Sequence, residues 1–191
     1  FLKNSFHSKV YQIELSKIDD DLSYIKNNKF ISEFKRTKKK LTENYQVEFQ
    51  NYFLANQIDL IDKKIIKKIS SLDIRGISHS INDDAINLYK NLCRTYPDKL
   101  VAGVLKINNE IIAACIGVIE NRRFYYLIPV IFSDKYNSFS PGKLLIYKLI
   151  AWSKNNKVDS FDFGIGVELY KKYWSNYSIR IFRHLDYKGL K

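Results

Sequence analysis

Methionine is absent from the 191 residues, and the chain opens on Phe1. A start codon leaves Met unless processing removes it, and removal ahead of a bulky Phe is disfavoured. The sequence therefore reads as the C-terminal part of a longer protein, with further residues expected ahead of Phe1. Cysteine is nearly absent: Cys93 and Cys115 fall in apolar stretches with no metal-ligand spacing, which fits two buried reduced thiols. His7, His79 and His184 are equally scattered, so neither a metal site nor a His-based triad is expected. No apolar run approaches the roughly 20 residues that cross a bilayer; the longest, Ile111–Ile119, is bounded by Glu110 and Glu120. No secretory leader heads the chain, and the expected location is the cytoplasm.

What is present suits one folded domain. Hydrophobic residues make up 46% and charged residues 27%, enough apolar side chain to bury a core. The net charge of +12 admits three partner classes: nucleic acid, an anionic membrane, or a polyanionic small molecule. Its densest run, Lys35-Arg36-Thr37-Lys38-Lys39-Lys40, reads first as a solvated helix face.

Periodicity divides the chain near Asp98. Residues 19–97 read as mainly helical. A helix is predicted over Asp19–Asn44, opened by Asp19, Asp20 and Asp21, with Leu22, Ile25, Phe30 and Phe34 at helical spacing. A short strand follows over Tyr45–Phe49, then helices over Asn56–Ser71 and Asn82–Tyr96, the last stopped by Pro97. Residues 98–191 read as the sheet half. Strands over Leu100–Ile107, Ile111–Ile119 and Phe124–Ile131 are joined by tight turns at Asn108-Asn109 and Asn121-Arg122, because Asn tolerates positive φ. After a polar loop, Ser133–Ser140, Pro141 opens a helix that runs to Asn155. A strand over Ser160–Phe163, a short helix over Glu168–Trp174 and a strand over Ile179–Tyr187 close the chain. The fold class is mixed α/β or α+β, as one unit.

Two junctions concentrate chemistry. In Asn137-Ser138-Phe139-Ser140-Pro141-Gly142-Lys143-Leu144-Leu145, small residues precede a helix N-terminus whose first N–H groups lack partners, and Lys143 adds a full charge: a candidate pyrophosphate cradle. In Asp162-Phe163-Gly164-Ile165-Gly166-Val167-Glu168-Leu169-Tyr170-Lys171, a strand ends in a carboxylate, two glycines break regularity, and a helix opens beside Glu168, Tyr170 and Lys171. Acids, a phenol and a lysine so gathered can move protons. Each junction also has an ordinary reading, a capped helix start and a glycine turn.

Together, Tyr125-Tyr126, Ser140-Pro141-Gly142-Lys143-Leu144-Leu145, Asp162-Phe163-Gly164-Ile165-Gly166 and Tyr170-Lys171 resemble the GNAT acyltransferase superfamily, and within it the CelD-type, cellulose-biosynthesis-related acetyltransferases. The resemblance covers about 75 residues well, Leu100–Trp174, and more weakly Phe30–Phe49. It implies a GNAT-like, mostly antiparallel twisted sheet flanked by helices, and acetyl-CoA or another acyl-CoA as co-substrate with no metal. The family loop Gln/Arg-x-x-Gly-x-Gly/Ala falls on Asn137–Gly142, where Asn137 replaces Gln or Arg and Ser140 replaces the first Gly. The cofactor-binding set implied is Asn137, Ser140, Gly142, Lys143 and Leu144, with the pantetheine arm along Ile128, Val130 and Ile131. Tyr170 matches the family's general acid, although Tyr173 and Trp174 depart from the Gly-Phe that follows it elsewhere. Asp162 or Glu168 is the implied base, and Lys171 the holder of an anionic acceptor or a CoA phosphate.

The implied activity is transfer of an acetyl or longer acyl group from CoA to the amine of a small acceptor such as an amino sugar. Two alternatives stand beside it. One is a Fem-type transferase drawing on aminoacyl-tRNA, the one setting in which nucleic acid is an expected partner; the other is a non-catalytic GNAT-fold binding module. The acceptor and the oligomeric state are not encoded in any motif.

Overall fold

The computed structural model describes residues 2–18, 22–53, 87 and 91–186. Seven strands form one sheet: β1 Leu2–Glu14, β2 Val47–Phe53, β3 Leu100–Ile107, β4 Glu110–Glu120, β5 Arg123–Ile131, β6 Ser160–Ile165 and β7 Tyr177–Asp186, in the order β2-β3-β4-β5-β6-β1-β7. All neighbours are antiparallel except β5 and β6, which lie parallel as a strand–helix–strand crossover requires. Among the described residues, α1 Asn28–Asn44, α2 Pro141–Asn155 and α3 Leu169–Trp174 flank the sheet.

The meander β3–β5 forms where the sequence places it. Asn108 and Asn109 have φ of 48° and 65°, Asn121 and Arg122 of 49° and 58°, the paired positive values of a two-residue hairpin turn. The main core lies on the face of α1 and α2, where Leu144, Leu145 and Leu149 meet Val101, Leu105, Phe124 and Phe161. Close approach of α2 depends on Gly103, where a Cβ would sit 2.6 Å from Leu149 Cδ2. A smaller cluster on the other face joins Cys93 to Ala102, Val104, Ala114, Ile116 and Val130. Both cysteines are buried and unpaired.

Several expectations are corrected. The first helix begins at Asn28, not Asp19: Leu22 has a φ of 67°, and Asn27 caps α1 by accepting a hydrogen bond from Phe30 N at 2.9 Å. Leu22 and Ile25 are buried, but from the loop ahead of the helix. Asp19–Asp21 lie outside the described residues, as does the predicted helix Asn56–Ser71; of Asn82–Tyr96, Asn87 and residues 91–95 are described and helical. Tyr45 caps α1, and β2 runs from Val47 to Phe53. The polar loop before α2 contains a 3-10 turn, Asp134–Phe139, whose Tyr136 is buried against Tyr45. The opening strand, β1, lies between β6 and β7 and pairs with both. Among the described residues no helix is long and apolar enough to cross a membrane.

Candidate active site at the split between two strands

Pairing of β5 with β6 ends early. It runs Arg123↔Ser160, Phe124↔Phe161 and Tyr125↔Asp162 and goes no further, so Tyr126–Ile131 of β5 has β4 on one side only. A bulge lies at the same level, where Leu127 of β5 stands unpaired between Ile116↔Ile128 and Gly117↔Tyr126. The split leaves one edge of β5 with backbone groups that no described strand takes. Such an edge can pair with the amides of an extended ligand.

The start of α2 follows β5. Ser140 precedes the helix with φ 52° and ψ 60°, and its side chain makes no capping bond. A left-handed conformation favours Gly, which gives a physical reason for the family's glycine at this place. Pro141 has no N–H, and the N–H groups of Lys143 and Leu144 donate to Ser140 O at 3.0 and 3.3 Å. The Gly142 N–H remains as the first-turn donor. A Cβ on Gly142 would meet Ile131 Cδ1 at an ordinary 3.5 Å, so there is room above the turn.

The remaining cradle residues take different places. Leu144 is buried in the core, so only its backbone belongs to the turn. Val130 and Ile128 pack into the smaller cluster on the far face, and Ile131 against the main core. Asn137 is exposed and donates from Nδ2 to Asp134 Oδ1 at 2.9 Å. Lys143 reaches across to α1: its Nζ donates to Glu33 Oε1 at 2.9 Å and lies 5.1 Å from the centre of the Phe30 ring. The hydrogen bond from Lys143, together with its charge, holds the Glu33 carboxyl below its ordinary range.

Tyr170 stands on α3 with its ring edge-on to Phe163 at 6.2 Å. It shares a cleft of about 310 Å³ with Lys143, Phe30, Glu33 and Tyr173. Tyr126, from β5, is buried close enough to feel Tyr170; burial first, then Cys115 and Tyr170, push its phenol well above the ordinary value. Burial also pushes the Cys115 thiol up, opposed by hydrogen bonds from the Ile128 and Leu127 backbone at the bulge.

The acids divide. Asp162 alternates with Phe161 and Phe163 and so faces away from Tyr170. Its buried carboxylate accepts from Gln12 Nε2 at 2.6 Å and from the Gly164 N–H at 2.7 Å, with Arg123 at 3.7 Å. The structure does not bring Asp162 to the cleft. Glu168 precedes α3 and pairs with Lys171, Oε2 to Nζ 3.1 Å; Lys171 is buried and also donates to Ile165 O at 2.8 Å. This pair folds over Gly166, whose φ is 152° and where a Cβ would collide with the Glu168 carboxylate and come within 2.7 Å of Lys171 Nζ. The Lys171 charge is thus spent inside the protein. Glu33 entered the site without any motif to announce it, in a lysine-dominated helix 110 residues from Lys143; Tyr126 belongs to the Tyr125-Tyr126 pair of the family resemblance, which assigns it no role.

A mixed sheet split beside an open helix start defines the class, an α/β domain able to hold an extended, phosphate-bearing ligand edge-on. Residues 28–172 match the acetyltransferase (GNAT) domain family, and the chain belongs to it. A search of curated proteins finds no match. Among solved structures, the chain is similar to FemX (TM-score 0.64, 11% identity, 95% of this chain and 65% of that one). It is also similar to the C-terminal domain of a protein described as a lysylphosphatidylglycerol synthetase from Agrobacterium fabrum (TM-score 0.61, 11% identity, 95% and 60%). A conserved protein of unknown function from Bacteroides thetaiotaomicron VPI-5482 is similar at TM-score 0.60 and 14% identity, with 96% and 60% covered. At these identities the likeness is one of fold, and the chain spans less than two thirds of each of these structures.

Proposed function

We propose that this domain is a CelD-type N-acyltransferase that moves an acetyl or longer acyl group from CoA to the amine of a small acceptor such as an amino sugar, in the cytoplasm where acyl-CoA is available. The observation that carries the reading is the unpaired edge of β5 beyond Tyr125 leading into an uncapped α2. Gly142, with Ser140 and Asn137 before it, would receive the pyrophosphate, and Lys143 would turn from Glu33 to meet it. The backbone of Ile128, Val130 and Ile131 would pair with the pantetheine amides. Tyr170 would give its proton to the departing thiolate, and Glu168 is the acid nearer α3 to take a proton from the acceptor ammonium. A β5 backbone N–H would stabilise the oxyanion, while Asp162 holds the glycine turn in place. Once the acceptor amine is neutral and aligned, proximity supplies much of the acceleration.

A second reading is a Fem-type transferase with aminoacyl-tRNA as donor. It is favoured by the fold likeness to FemX and by the Lys143 charge already being met by Glu33.

Titration of acetyl-CoA into the chain tests the first reading, with Gly142→Glu beside it. Gly142 has room for a side chain and Glu suits a helix start, so the variant should melt like the parent while losing saturable binding. Binding that survives Gly142→Glu would remove the cradle. Tyr170→Phe should bind acetyl-CoA normally and turn over at least about tenfold more slowly; unchanged turnover would remove its role as acid.

A further inference from the structure

The loop between β6 and α3 holds three branched apolar side chains in water: Ile165 is 56% exposed, Val167 78% and Leu169 64%. Its backbone is pinned from below. The buried Lys171 donates from Nζ to Ile165 O at 2.8 Å, Glu168 turns inward to the same Lys171, and the Gly166 N–H donates to Lys9 O at 3.2 Å. That last bond lays the loop against the ribbon of β1 and β7, which from Leu2 to Lys9 extends beyond the pairing of β1 with β6. On the ribbon Phe6 stands opposite Phe182 and Lys9 opposite Arg180, and these four line one space of about 290 Å³. Phe6 and Phe182 are 55% and 48% exposed, with their rings edge-on at 6.3 Å. Lys9 and Arg180 form no ion pair among the described residues. The single acid of the loop, Glu168, is engaged by Lys171. One exposed apolar side chain is ordinary. Five that adjoin, on a fixed backbone with two cations among them, make an interaction surface.

We infer that this surface seats the domain on an anionic lipid bilayer. Ile165, Val167 and Leu169, with Phe6 and Phe182, enter the boundary between headgroups and acyl chains, while Lys9 and Arg180 meet the lipid phosphates. A bilayer answers both halves of the patch at once, the apolar tips with its boundary and the cations with its negative surface. The net charge of +12 adds a longer-range attraction of the same sign. A protein partner would have to bring a hollow shaped to the loop and the ribbon, with acids placed beside it; a bilayer demands no fixed shape. The docking stands apart from the acyl-transfer reading, since it calls on neither an acyl donor nor Tyr170.

The test is flotation of the full chain with vesicles of phosphatidylcholine that carry about one quarter phosphatidylglycerol, with no acyl donor present. The chain should float with these vesicles and stay behind with vesicles of phosphatidylcholine alone. Changing Val167→Ser and Leu169→Ser together should weaken the partition about tenfold, and Lys9→Gln with Arg180→Gln should do so by about as much. Phe53→Ser removes an exposed aromatic side chain from β2, at the opposite edge of the sheet, and should change nothing. Val167→Trp gives a gain that a damaged fold would not produce: tighter partition, with tryptophan emission moving to shorter wavelength on the anionic vesicles. Failure to float with anionic vesicles, indifference to both paired changes, or an equal loss with Phe53→Ser would overturn the inference. So would a dimer in solution that the Val167 and Leu169 changes disperse while vesicles stay unbound, which would give the face to a second copy of the chain.

Discussion

A carboxylate that accepts a hydrogen bond from an ammonium ionises more readily than a free one, and Glu33 does so against Lys143. Its folded value lies below its unfolded value. The contribution is therefore fully present above the ordinary carboxylate range, about pH 4.3, and is lost as pH falls through the lowered native value. Melting temperature followed across about pH 2 to 6 should show this acid limb in the parent and a flatter one in Glu33→Gln; identical profiles would mean the pair is absent in solution. At neutral pH the same substitution frees Lys143, so acetyl-CoA should bind about threefold tighter, the scale of one exposed ion pair. Asp162 answers to a different test. Gln12→Ala leaves a buried carboxylate short of a donor and should cost about 2 kcal/mol in denaturant unfolding. The chemistry-bearing character of Asp162 was legible, since an acid before two glycines stands out; its employment was not. Its partner Gln12 lies 150 residues earlier on a strand with no motif, and no spacing along β6 reveals a bond made across the sheet.

Helix α3 has only six residues, too few to persist by itself. What holds it is Trp174, fully buried, with ring centres 5.4 Å from Phe30 and 5.5 Å from Phe34 of α1. Trp174→Ala should cost about 3–5 kcal/mol and lower the melting temperature by roughly 10 °C, and Tyr170 should lose its place with it. A calorimetric shift under about 2 °C would show that α3 is held elsewhere. Elements defined by local chemistry were legible in sequence. The Asn-rich hairpin turns fix the meander, and Pro141 marks the first residue of α2. Elements defined from a distance were not. The apolar spacing of Leu22 and Ile25 reflects a loop packed into the core, which imitates helical periodicity without being helical.

At the scale of the molecule, the sheet depends on its first strand. Among the described strands β7 pairs with β1 alone, over a register from Leu2↔Asp186 to Gln12↔Tyr177, and β6 has β1 beside it from Val10 to Glu14. The alternation Tyr11-Gln12-Ile13-Glu14-Leu15 has the period of a strand, but the partners of β1 lie at the far end of the chain, so no local spacing places it between β6 and β7. Removing residues 1–14 would strip β7 of every ladder bond and leave β6 with only the short parallel pairing to β5. It would also remove Gln12 from the buried Asp162 and Lys9 O from the Gly166 N–H, 3.2 Å apart in the intact chain, so the glycine turn that carries Glu168 and Lys171 would lose its anchor. The shortened chain should therefore lose its single sharp thermal transition, and acetyl-CoA binding should fall with it. If it instead melted as one unit near the parent temperature, the half built from β2 to β5 and α2 would be the folding unit, and β1, β6 and β7 an attachment to it.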